Sequence, residues 1–174
     1  MAVLFPHDQI QILSYHRLVR DLAGMDSQAF LRCLAKDFFV IPGGPAAEGR
    51  TAEHSFGMYL KGRWYTLTAR PGSFADADPV ASLDVSILQD NLLGPILGIE
   101  DPRTDKRIDF VGGLGAEERL VTHVDRGEFA VAFLLHPVKL DQIIAVAEAG
   151  RFMPPKSTWV EPKLRSGIFV HLLS

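Results

Sequence analysis

From Arg107 onward the chain alternates short apolar segments with amphipathic, glycine-closed ones, and this order limits the folds open to it. "RIDFVGG" (107–113) reads as a strand and "GAEERLVTHVDRG" (115–127) as a helix closed by Gly127. "FAVAFLLH" (129–136) is apolar almost throughout, which places it centrally in a sheet. "VKLDQIIAVAEAG" (138–150) is a helix closed by Gly150. An irregular loop follows, and "IFVHLL" is a last strand. The second half is therefore β-α-β-α-β, with connections long enough for parallel pairing.

The first half carries a different signal. In "HSFGMYLKGRWYTLTA", Met58 and Leu60 face the alternating Trp64, Thr66 and Thr68 across a tight Lys61-Gly62 turn, so this stretch is an antiparallel hairpin. "AVLF" and "IQIL" read as short strands separated by "PHDQ". In "SYHRLVRDLAG" the spacing of Leu18, Val19 and Leu22 predicts a helix ending at Gly24. "DSQAFLRCLAKD" (26–37) is a helix capped by Asp26 or Ser27, with Phe30, Leu31 and Leu34 on one face. "FFVI" is a buried strand, followed by the loop "PGGPAAEGR". Asp78 caps a helix with Pro79 at its first position, and Gly94-Pro95 stops it. The expected fold is α+β: a mixed sheet with an antiparallel hairpin in the first half and a β-α-β-α-β second half, forming one domain over 1–174.

Composition narrows the function classes. Of 174 residues, 47% are apolar, enough for one core; net charge is −3, so no general basic face supports nucleic-acid binding. The single cysteine, Cys33, cannot form an internal disulfide, and its helical setting predicts a buried or half-buried residue rather than a nucleophile. No apolar run approaches the roughly 20 residues that span a bilayer, and "MAVLF" lacks the basic start of a signal peptide, so a cytoplasmic location is expected. The start on an apolar run suggests the C-terminal portion of a longer protein.

Three constellations carry chemistry. "GRFMPPKS" (150–157) is one residue from a P-loop, with Pro155 where the second glycine belongs. It follows a helix, its prolines have no N–H to offer, and no helix begins after it, so a Walker cradle is excluded. Lys156, Ser157 and Thr158 still set an ammonium beside two hydroxyls, with Lys163 and Arg165 close behind and stiffening prolines before them. That segment reads either as an anion-binding loop or as a solvated one. In "EDPRTDKRIDF", Asp101, Asp105 and Asp109 interleave with Arg103, Lys106 and Arg107. The turn could orient a divalent cation and grip a phosphate through Arg103, or satisfy its own charges. His7-Asp8 and His16-Arg17 are a third set: an oriented base, or hydrogen-bonded structural histidines. No metal site is assigned.

"FPHDQIQILSYHRLVRDL", "SLDVSILQDNLLGPILGIEDPRTDKRIDFVGG", "VAFLLHP" and "MPPKSTWVEPKLRSG" resemble the C-terminal part of a family of conserved hypothetical proteins, the domain of unknown function number 1015. Its members are often labelled ParB-like or SpoOJ-like, and their N-terminal half carries an Asp-Gly-His-His-Arg motif that is absent here. The resemblance brings no established activity. Its ParB-like fold class includes free-serine kinases and nucleotide-hydrolysing DNA-binding proteins, and this analogy rests on the absent half.

The leading expectation is part of an enzyme that binds a phosphorylated small molecule or nucleotide, for phosphoryl transfer or hydrolysis, inactive without the N-terminal half. Lys156, Ser157, Thr158, Lys163 and Arg165 would hold phosphate, with Arg103 and Asp105 in support; His7, Asp8, His16, Arg107 and Asp109 are secondary candidates. No cofactor is required by the residues, and a nucleotide with Mg²⁺ is the one this reading would bring. The competing expectation is a non-catalytic binding or dimerisation module, with a homodimer as its form.

Overall fold

The structure is a computed structural model that describes residues 10–43 and 53–161. The elements run β1 (Gln11–Leu13), β2 (Tyr15–Val19), α1 (Ser27–Leu34), β3 (Phe38–Pro42), β4 (Ser55–Leu60) and β5 (Arg63–Ala69). Then come α2 (Asp84–Leu88) with a π turn over Gln89–Leu93, β6 (Ile108–Gly112), α3 (Ala116–Asp125), β7 (Val131–Leu134), α4 (Leu140–Glu148) and β8 (Trp159–Glu161). Six strands form one sheet in the order β3-β5-β4-β7-β2-β6, and β1 pairs with β8.

The α+β class, the hairpin and the order β6-α3-β7-α4 stand as expected, whereas β8 falls in the stretch expected to be an irregular loop; the expected strands "AVLF" and "IFVHLL" and most of the loop "PGGPAAEGR" lie outside the described residues. Leu60 pairs with Arg63 across Lys61-Gly62, both at positive φ (48° and 75°), as a tight two-residue turn requires. The pairing of the second half differs from the expectation. Every ladder among the described strands is antiparallel, because β6 and β7 both flank β2, and β7 also pairs with β4. β6 and β7 run in the same direction, as a strand-helix-strand crossover requires, but β2 lies between them, so no parallel ladder forms.

Residues 15–19 are a strand and not the expected helix. Their side chains are buried on both faces of the sheet, so the close spacing of Leu18 and Val19 reflects a two-sided strand. β3 is an edge strand with Phe39 and Ile41 exposed, where a buried strand was expected. Cys33 is exposed, since α1 turns Phe30 and Leu34 inward. The Asp26 carboxylate caps α1 by accepting the Ala29 N–H at 2.7 Å. Asp78 accepts the Val80 and Ala81 N–H groups, but regular helix starts only at Asp84.

The sheet separates two apolar layers. On one face Val19, Met58, Leu67 and Phe133 meet Phe30, Leu34, Ile87, Leu88 and Val146. On the other, Leu18, Tyr59, Ala132 and Leu134 meet Leu120 and Val124 of α3. Strand alternation then sends Arg17 toward the first layer and its neighbour His16 toward the second.

Candidate functional site

The loop after α4 returns across the first face of the sheet. Lys156 sits at its apex with φ 54°, a left-handed conformation that costs a lysine about 1 kcal/mol. Its carbonyl accepts from Arg17 Nη2 at 3.1 Å, which ties the loop to β2. Its ammonium lies 5.0 Å from the Tyr15 ring centroid and 5.9 Å from that of Phe110. Lys156 and Arg103 meet in one cleft of about 330 Å³, lined also by Pro102, Asp105, Phe110 and Pro155. The two segments singled out by sequence therefore converge, although 53 positions apart.

Their members differ in what they have free. Ser157 is buried and its hydroxyl donates to the Pro154 carbonyl, so it closes the loop and offers nothing to a ligand. Thr158 is half-buried beside it. Arg103 is exposed and doubly bonded to Asp101 through Nε (2.9 Å) and Nη2 (3.0 Å). That pairing and the Arg103 N–H hold the Asp101 carboxyl below its ordinary range. Asp105 is committed to Arg107 at 2.7 Å, and Arg107 also donates to the Leu97 and Gly98 carbonyls. These two form a staple that fixes the turn before β6, which is the self-satisfied alternative weighed above for this stretch. Asp109 lies on β6 and accepts the Phe110 N–H; strand alternation puts it on the face opposite Phe110. His16 lines a different cavity, on the other side of the sheet. His7, Asp8, Lys163 and Arg165 lie outside the described residues. Among the described residues, no group of three or more His, Cys, Asp or Glu is arranged to hold a metal.

Sequence reasoning named the feature next to this cleft, Arg17, only as the neighbour of His16 and gave it no role. Arg17 is 4% exposed, and no acid among the described residues pairs with it. Burial pulls its pKa down to about 9, so it stays cationic at neutral pH. It lines a second cleft of about 270 Å³ with Ser86, Gln89 and Asp90, bordered by Pro102 and Pro155 as the first one is. Burial raises the Asp90 pKa. The signal in the sequence was an arginine inside "YHRLVR", legible only once that run is recognised as a buried strand. A second missed pair is His54 and Asp84. The buried Asp84 carboxylate accepts the His54 N–H at 2.8 Å and lies 3.2 Å from Nδ1, holding a histidine at φ 59°.

The glycine-rich connection "VGGLGAEE" between β6 and α3 also drew no attention as a site. A Cβ on Gly112 would lie 2.5 Å from Trp159 Cε3, so the indole packs directly on this turn. Trp159 also meets the Tyr15 ring edge-on at 5.1 Å, which links the turn to the Lys156 loop.

Among solved structures, the fold is similar to that of a free serine kinase in complex with AMP: 13% identity, TM-score 0.54, covering 88% of this chain and 55% of that one. It is similar also to a conserved hypothetical protein from Pyrococcus furiosus, at 13% identity and TM-score 0.54, covering 88% and 56%. At this identity the likeness is one of fold, and the chain spans about half the length of these structures. No curated protein matches the sequence. No helix among the described residues is long and apolar enough to cross a membrane. Residues 1–86 match the family described as protein of unknown function (DUF1015).

Proposed function

We propose that this chain is part of an enzyme that binds a phosphorylated small molecule or nucleotide, with the phosphate in the cleft between Lys156 and Arg103. The observation that carries this reading is the convergence of those two cations on one cleft, with the unpaired Arg17 in the cleft that adjoins it. A stiff, proline-flanked loop offers its ammonium with little ordering cost, and in the adjoining cleft the buried Arg17 is a cation held away from water, where it acts strongly on an anion. Phosphoryl transfer or hydrolysis is the reaction class such cations serve, because they stabilise charge on the transferring group. Asp90, across the Arg17 cleft, is the carboxylate placed to orient a nucleophile. The fold it shares with a kinase bound to AMP is consistent with a nucleotide as the ligand. The reaction centre in this reading draws on more than the described residues.

Thermal-shift titration with ATP, ADP, AMP and inorganic phosphate, beside Lys156→Ala, tests it. A saturable rise in Tm that the substitution removes is expected, since a ligand of the folded state stabilises by mass action. An equal rise in the variant, or none with any phosphate compound, would overturn the assignment. One observation favours a second reading, a dimerisation module: edge strand β3 leaves Ile41 56% and Phe39 44% exposed. A dimer that Ile41→Lys dissociates would support it.

A further inference from the structure

A cavity of about 590 Å³ lies on the α3 side of the sheet, away from the Lys156 cleft. Its floor is the Gly113–Ala116 turn, where Gly113 and Gly115 hold φ at 83° and 67° and bring the backbone close. No side chain caps α3, so the N–H groups of its first turn stay open.

Two buried side chains of β2 and its approach face the same space. His16, 9% exposed, accepts the Leu135 N–H at Nδ1 (3.2 Å), which assigns its proton to Nε2. Nε2 has no partner among the described residues. Ser14, 5% exposed, lines the cavity; its hydroxyl is likewise unpartnered and is closed off from solvent, so a change of χ1 rotamer is what turns it toward a ligand. Burial, Arg17 and Arg119 lower the His16 pKa to about 4, which keeps the ring neutral. Arg119 donates to the Gly112 and Leu114 carbonyls (both 2.8 Å) and locks the turn.

We propose that this cavity is a second ligand site, and that it takes a small monocarboxylate. The carboxylate is held by the first-turn N–H groups of α3, with His16 Nε2–H and the Ser14 hydroxyl as side-chain donors. All of these are neutral donors, which suit an anion. Glu117 and Glu118 also line the cavity, and their charges disfavour a phosphate dianion against a single carboxylate. Leu13, Leu134 and Leu135 supply apolar wall for a short carbon body. The site is independent of the phosphate cleft, because His16 and Arg17 project to opposite faces of β2.

Amide chemical-shift titration of the whole chain with acetate, butyrate, benzoate, benzamide and inorganic phosphate tests this. Saturable shifts at Gly113 and Gly115–Glu118 are expected with the acids, and weaker ones with phosphate and benzamide. Ser14→Ala and His16→Gln should each weaken acid binding about tenfold, the loss of one hydrogen bond to a charged group. Lys156→Ala should leave it unchanged. Phosphate binding tighter than every acid would overturn the proposal, as would no shift with any acid. Affinity unchanged in Ser14→Ala, which removes one hydroxyl and keeps the test open if His16→Gln does not fold, would also overturn it.

Discussion

Arg17→Met removes the buried guanidinium while keeping most of the side-chain length, and its effect separates a ligand-binding cation from a structural one. The fall in pKa from 12.5 to about 9 corresponds to a cost on the order of 5 kcal/mol for holding the charge in place. The folded-state pKa lies below the unfolded one, so this cost is fully present at pH 7 and is relieved only above about pH 9. Two bonds to the Tyr15 and Lys156 carbonyls offset about 3 kcal/mol or more of it. The guanidinium lies 5.3 Å from the Phe110 ring centroid, which adds about 1 kcal/mol. The terms nearly cancel, so Arg17→Met should leave unfolding free energy within about 1 kcal/mol of the parent in urea at pH 7, with an unchanged m value. The same variant should lose its Tm response to nucleotide. Removing a well-paired buried charge instead costs about 3–5 kcal/mol. A loss of that size would show that the Arg17 bonds to the loop outweigh the cost of burying its charge, making it a structural cation, and would refute the argument.

Three further outcomes follow from the packing. Lys156→Ala should lower phosphate affinity about tenfold, as loss of a charged contact does, while urea unfolding shifts by under about 1 kcal/mol, because the exposed ammonium only rests over two rings. Gly112→Ala drives a Cβ against Trp159; the overpacking should cost about 1–3 kcal/mol and change the indole fluorescence. The Asp78 pKa is lowered to about 2 by the Ala81 N–H, Arg151 and the Val80 N–H. A depressed carboxyl contributes stability above its unfolded pKa and loses it as pH falls, here from about 4 to about 2. Acid unfolding of Asp78→Asn should therefore show a shallower pH dependence over that window than the parent.

Much of the fold was legible because local signals were strong. The Lys61-Gly62 turn, the Asp26 cap, the Gly127 and Gly150 stops and the apolar run at 129–136 each report nearby physics, and each fell where the sequence placed it; the Gly24 stop did not, since no helix precedes it among the described residues. Pairing direction was not legible. A helix between two strands lets them run parallel but does not make them neighbours, and here β2 from the first half lies between β7 and β6 while β4 takes the other edge of β7. β2 itself was mistaken for a helix because a strand buried on both faces has no period of two to read. The candidate site was legible as two segments, Lys156–Thr158 and Arg103–Asp105, and their meeting was not, since only the sheet brings them together. Which charges were spoken for also escaped sequence reading. Asp105 goes to Arg107 and Ser157 to its own loop, while Arg17, named only beside His16, pairs with no acid among the described residues.

The most direct measurement is an amide chemical-shift titration of the chain with ADP and with inorganic phosphate, following residues 101–107 and 153–158 together. A single phosphate held between Lys156 and Arg103 should move both segments with one shared saturation curve, and Lys156→Ala should flatten both. Shifts confined to one segment, curves with different midpoints, or no saturable shift in either would contradict the account.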